Sequence, residues 1–216
     1  MAALADLDAN PPPEQRPRIP QALVVRVLLE TGARWGELTA ATWADVDIPG
    51  ARLVFRAENT KTGAERCIPL RRQTVEALEA YRLECAAILR VMPPAGAPVF
   101  LSPQGRPWTS GSNFRKVLRA AYERAGLMER DARGRLRSKD GHALHVHTLR
   151  HTFCTRLLAA GVPVPVVQAM LGHASPQMTL RVYTHLQAES ARHWIEGAAS
   201  FAGPGVVPGM RTAGRA

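Results

Sequence analysis

Hydrophobic and polar positions change period several times along the chain, and each change marks an element. QALVVRVLLETGARWGELTAATWADVD opens as an apolar helix, breaks at Thr31-Gly32 and resumes near Gly36 with Glu37, Leu38 and Trp43, which predicts helix, turn, helix. ARLVFRAENTKTGAERCIPL then alternates, with extended stretches over 53–56 and 66–70 flanking a Thr-Lys-Thr-Gly turn. That pattern predicts a hairpin or a small three-stranded antiparallel sheet. Val75, Leu78, Tyr81, Cys85 and Ile88 recur at helical spacing, so 73–90 reads as a long amphipathic helix. Another helix is expected over 112–124, followed by a polar, basic stretch at 126–146. Three short helices at 147–160, 165–171 and 176–185 are punctuated by Gly161, Pro163, Gly172 and Pro176. The expected class is α+β, mainly helical, with one small sheet. Residues 1–20, with five prolines from Pro11 to Pro20, read as a flexible lead, 21–200 as one domain, and 201–216 as a flexible tail.

Composition narrows the partner. With 216 residues, 46% of them hydrophobic, the chain can bury a real core. Lys and Arg number 28 against 18 Asp and Glu, a net charge of +10, which points to a polyanion. Cys67, Cys85 and Cys154 are odd in number and far apart, so they make neither a disulfide framework nor a metal cluster. They fit buried thiols in a reducing cytoplasm. No run approaches the roughly eighteen apolar residues of a membrane span, and MAALADLDANPPPEQRPRIP has no apolar stretch of signal-peptide length. No membrane association is expected.

The candidate chemistry is scattered over several elements. In HVHTLRHTF, His147 and Arg150 stand at i and i+3 and so share one helix face. Together with His173 and Tyr183 of LGHASPQMTLRVYTH they would form a cationic pocket around a phenol. Arginine offers a fixed fork of donors that fits two phosphate oxygens, and its charge does not titrate at cellular pH. A tyrosine attacking phosphorus needs such a clamp, because the pentacoordinate state carries extra negative charge. A second arginine is therefore expected, and Arg34 in TGARWGE is the candidate. Lys61 on the hairpin turn could protonate the departing sugar oxygen. The scheme requires no metal and no cofactor. Glu37 and Asp45 read as scaffold that holds Arg34 and the helix ends, while His145, His151 and His185 fall beside the pocket.

TGARWGEL with WADVD, the TKTG turn, HTLRHTF, LGHASPQMT and RVYTH, in this order and at these intervals, resemble the catalytic domain of tyrosine recombinases, the phage-integrase family, from about residue 22 to 190. Arg34 resembles the first active-site arginine, Lys61 the hairpin lysine, His147 and Arg150 the H-x-x-R pair, His173 the position held by His or Trp, and Tyr183 the nucleophile. The resemblance implies a helical bundle with a small three-stranded antiparallel sheet. It implies a site-specific recombinase or integrase that breaks and rejoins double-stranded DNA through a 3′-phosphotyrosyl link, without metal or ATP. A homotetramer on DNA, with accessory DNA-binding proteins, would follow. Topoisomerase-like relaxation and a DNA-binding regulatory remnant are the alternatives. The family commonly carries an N-terminal core-binding domain, which the short proline-rich lead would leave absent. In the basic stretch, Arg130, Arg133, Arg135, Arg137 and Lys139 are expected to track the phosphate backbone. Leu186, Ala191, Trp194, Ile195 and Ala198 form an apolar stripe expected to dock on a neighbouring protomer.

Overall fold

The structure is a computed structural model that describes residues 19–101, 111–131, 136–139 and 145–172, with 111–113, 130 and 136 described by backbone alone. In chain order it contains α1 (Gln21–Thr31), α2 (Trp35–Ala40), a 3₁₀ turn at Trp43–Asp45, β1 (Val46–Asp47), β2 (Arg52–Phe55), a second 3₁₀ turn at Ala57–Asn59 and β3 (Arg66–Pro69). These lead into α3 (Arg72–Leu89), α4 (Gly111–Arg124), β4 (Met128–Arg130), β5 (Leu136–Ser138), α5 (Val146–Ala159) and α6 (Val164–Leu171). The mainly helical α+β expectation is met, and helix bounds fall within a residue or two of the periodicity. The helix expected at 176–185, the stripe at 186–200, the tail at 201–216 and all but two residues of the lead lie outside the described residues. Among the described residues, no helix is long and apolar enough to cross a membrane.

The sheet runs β1-β2-β3, all antiparallel, with Val46 opposite Leu53, Leu53 opposite Ile68, and Phe55 opposite Arg66. Side chains alternate across a strand, so Leu53 and Phe55 of β2 and Arg66 and Ile68 of β3 all face the core. An arginine therefore occupies an inward position that the pattern would give to an apolar residue. The connection carrying Lys61 is longer than a tight hairpin, because the turn at Ala57–Asn59 precedes it. The basic stretch expected to lack structure instead folds into a second, two-stranded sheet, β4 with β5, in which Ser138 is buried. Short alternation hidden among charges explains the miss.

The helices pack around this sheet. α1 contributes Leu23, Val24, Val25, Val27 and Leu28 to the core and lies against both α5 and α3. Tyr81 of α3 sits between Trp43 and Phe100, at ring-centroid distances of 6.4 and 5.9 Å. Trp35 stacks on Phe114 at 4.5 Å, joining α2 to α4. Phe153, Cys154, Leu158, Val167 and Leu171 form a smaller cluster that binds α5 to α6. Cys85 and Cys154 are buried as expected, but Cys67 is exposed, because it alternates outward on β3.

The α1–α2 break follows from Gly32. Its φ of +61° is left-handed, and its N–H donates to the Leu28 carbonyl 3.0 Å away, closing α1. A Cβ there would also lie 2.4 Å from Phe153 Cδ1. Gly63 has nearly the same φ, +65°, but nothing within 4 Å of such a Cβ. Gly63→Ala should therefore cost only the backbone strain, about 1 kcal/mol. Gly32→Ala should cost that plus about 1–3 kcal/mol of overpacking. Equal losses in denaturant unfolding would contradict the close contact between the α1 terminus and α5.

Candidate active site

Arg150 projects from α5 into the space between two helix ends. Its Nη1 donates to the Gly32 carbonyl at 2.6 Å and its Nη2 to the Leu171 carbonyl at 2.5 Å. Leu171 is the last residue of α6, and Gly32 caps α1. Carbonyls at helix C-termini lack intrahelical partners and carry the negative end of the helix dipole. One buried guanidinium thus ties α1, α5 and α6 together, and its charge is offset only by these dipoles. Burial, followed by the nearby Arg34, pushes the Arg150 pKa down to about 10, so it remains a cation at neutral pH. The two carbonyls use two of its five N–H donors.

Glu37 organises the other arginines. Its carboxylate is buried on α2, with 2% of the side chain exposed. Oε1 accepts from Arg34 Nη1 at 2.8 Å and Arg66 Nη1 at 3.1 Å, while Oε2 accepts from the Arg34 backbone N–H at 2.7 Å and Arg66 Nη2 at 2.5 Å. Burial would raise the Glu37 pKa, but these hydrogen bonds, led by Arg66, outweigh it and hold the carboxyl below its ordinary value. Arg34 keeps 24% of its side chain exposed and uses one Nη on the carboxylate. Three guanidinium groups stand around one carboxylate, leaving two positive charges in excess. Such a pocket favours a dianion at its open side, where Arg34 lies.

Arg66 was not singled out from the sequence. The signal was present: Arg66, Ile68 and Leu70 alternate as one inward face of β3, and an arginine on such a face demands a buried counter-charge. The role expected of Asp45 needs correction. It accepts from the Thr42 N–H and hydroxyl, both at 2.8 Å, and pairs with Arg56, so it caps the turn at Trp43–Asp45 and does not touch Arg34.

His147 lies at the start of α5, its ring edge-on to His151 at 5.8 Å. Loss of water around the ring, then the charge of Arg150, with smaller effects from His151, Arg34 and His145, pull its pKa below the ordinary value. It is therefore neutral at pH 7. The arrangement brings Arg34, Arg150 and His147 into one electrostatic neighbourhood. Lys61 is exposed in the turn closed by the Gly63 N–H on the Thr60 carbonyl, and among the described residues it makes no hydrogen bond or ion pair. His173, Tyr183, Arg133 and Arg135 lie outside the described residues, and Arg130 is described by backbone alone. Arg137 is exposed but donates to Asp131 at 3.0 Å, so part of its charge is answered locally. Lys139 is exposed, its backbone N–H on the Leu127 carbonyl. Among the described residues, no three His, Cys, Asp or Glu side chains could jointly hold a metal ion.

This geometry, a cation pocket on a helical scaffold with a small antiparallel sheet, agrees with what known proteins show. The phage integrase family profile matches residues 4–190, and the chain belongs to that family, the tyrosine recombinases. The tyrosine recombinase XerD of Mycobacterium tuberculosis (strain CDC 1551 / Oshkosh) is 33% identical over 175 residues, covering 81% of this chain and 50% of that protein. The chain thus spans about half the length of this relative. In fold it resembles the XerA recombinase crystal structure, with a TM-score of 0.61, 24% identity, and coverage of 94% of this chain and 61% of that one. It also resembles the catalytic domain of bacteriophage HP1 integrase, with a TM-score of 0.51, 26% identity, and coverage of 93% and 89%.

The Glu37 cluster has a pH signature. A carboxylate whose folded pKa is lowered contributes stability above its unfolded pKa, near 4.5, and loses it as pH falls through the folded value. Glu37→Gln leaves Arg66 buried without a counter-charge and should cost about 3–5 kcal/mol at pH 7. The gap between wild type and Glu37→Gln in denaturant unfolding should narrow as pH drops below about 4.5. A gap independent of pH would show that Glu37 is not ionised in the folded protein.

Proposed function

We propose that the chain is the catalytic part of a site-specific DNA recombinase acting on double-stranded DNA in the cytoplasm, with protomers assembled as a tetramer on DNA and accessory DNA-binding proteins assisting. The observation that carries this reading is the excess of buried positive charge around Glu37, built from segments that belong to the tyrosine recombinase family. Related proteins point the same way: XerH recombinase has been solved bound to its difH substrate in pre- and post-cleavage complexes.

In the proposed reaction the Tyr183 hydroxyl attacks the scissile phosphorus. A bond forms between its oxygen and phosphorus, and the bond from phosphorus to the 5′ oxygen breaks. The phenolic proton leaves through neutral His147, and Lys61 protonates the 5′ oxygen. Arg34, Arg150 and His173 hold the non-bridging oxygens, where charge builds up in the transition state. The phosphotyrosyl bond conserves the energy of the broken linkage, so a second strand's 5′ hydroxyl can reverse the step. Removing one clamp donor should slow cleavage about 10²–10³-fold. Arg130, Arg133, Arg135, Arg137 and Lys139 follow the phosphate backbone, Arg137 the least because Asp131 already engages it. The apolar stripe at 186–200, with Trp194 as anchor, docks on a neighbouring protomer.

The test is incubation with a pool of nicked duplexes randomised around the nick, followed by denaturing electrophoresis. Wild type should yield a covalent protein–DNA adduct from a selected subset. Tyr183→Phe should bind the selected duplex as wild type does and give no adduct, because phenylalanine removes only the nucleophile. An undiminished adduct from Tyr183→Phe would overturn the assignment.

A further inference from the structure

Arg66 is costly to bury and poorly explained as a stabilising residue. Its side chain is 5% exposed, its guanidinium lies 4.6 Å from the Phe55 ring centre, and its Nε is buried without a hydrogen-bond partner among the described residues. A buried ion pair often gives no more stability than an apolar pair of the same volume. What it gives here is alignment. Both Nη groups of Arg66 are spent on Glu37, one on each carboxylate oxygen, so the carboxylate plane is fixed by a two-pronged bond. Those same two oxygens receive the Arg34 side chain and backbone N–H. On its other side Arg66 packs against Gly172, where an added Cβ would lie 3.3 Å from Nη1 and 3.4 Å from Cδ. Gly172 caps α6 with a left-handed φ of +61° and follows Leu171, whose carbonyl holds Arg150. His173 is the next residue in sequence. β3 thereby touches both halves of the cation pocket through one side chain.

We infer that Arg66 is a positioning residue for phosphate binding: through Glu37 it aims Arg34, and through its contact with Gly172 it fixes the segment that ties Arg150 to the start of the Gly172-His173 sequence. It touches no reacting atom. The inference rests on the proposed strand-cleavage function and separates from it experimentally. If Arg66 merely neutralises Glu37, a lysine in its place suffices, and so does removing both charges together. If it aims Arg34, neither suffices, because lysine is a point charge without the fork, and an uncharged pair releases Arg34.

The experiment measures melting temperature, the duplex concentration for half-maximal adduct formation, and the adduct rate at saturating duplex. It uses Arg66→Lys, the double variant Glu37→Gln with Arg66→Met, and the nicked duplex selected by wild type. Folded Arg66→Lys and the folded double variant should both show a saturating rate reduced about 10²-fold, with half-maximal concentration close to wild type. A wild-type saturating rate in either folded variant overturns the inference. A raised half-maximal concentration with an unchanged saturating rate overturns it too, because Arg66 would then act on DNA binding. The double variant leaves no uncompensated buried charge at the pair, so it decides the matter if Arg66→Lys does not fold. Absence of any adduct from wild type would refute the proposed function itself, and this inference with it.

Discussion

One buried carboxylate cannot neutralise three guanidinium groups, and the site is built on that shortfall. Glu37 answers Arg34 and Arg66, while Arg150 is left to the carbonyl ends of α1 and α6. Two positive charges remain in a space where water is largely excluded, so an anion entering there is attracted far more strongly than at the surface. The fold supports this imbalance at several points. The left-handed turn at Gly32 exposes the carbonyl that Arg150 uses, the inward register of β3 delivers Arg66 to Glu37, and the Gly172 cap brings α6 against Arg66. Remove any one of these and the charges would be separated or solvated.

The same elements explain why the stability of the domain and the readiness of its site are linked. Arg150 joins three helices while aimed at the pocket, and Phe153, one turn further along α5, fills the space beside Gly32. His147 precedes Arg150 on the same helix and is kept neutral by the cations it adjoins. A base is thereby maintained beside a clamp, each a consequence of the other's charge.

Much of this was legible in the sequence, for physical reasons. Long helices such as 21–31 and 72–89 announce themselves through apolar spacing, and the sheet through alternation. Arg34, His147 and Arg150 stood out because their motifs are local, a few residues on one helix face or turn. What local reading missed depended on distant pairing. Arg66 meets Glu37 across 29 positions, and nothing near either residue names the other. The β4–β5 sheet was obscured because its short strands carry charges on their outward positions, and Asp45 was misassigned because its partner, Arg56, lies beyond the intervening strand. The longer connection around Lys61 follows from a 3₁₀ turn that no apolar pattern marks.

The central claim is that the pocket is a preformed anion clamp whose open donors belong to Arg34 and Arg150. The most direct measurement is a titration of the protein with inorganic sulfate at constant ionic strength, following the side-chain N–H resonances of its arginines by NMR. Arg34 and Arg150 should shift together and saturate, while exposed Arg72, outside the pocket, should change little and without saturation. Parallel, unsaturable drift of all arginine resonances would reveal only general screening and would contradict a preformed clamp.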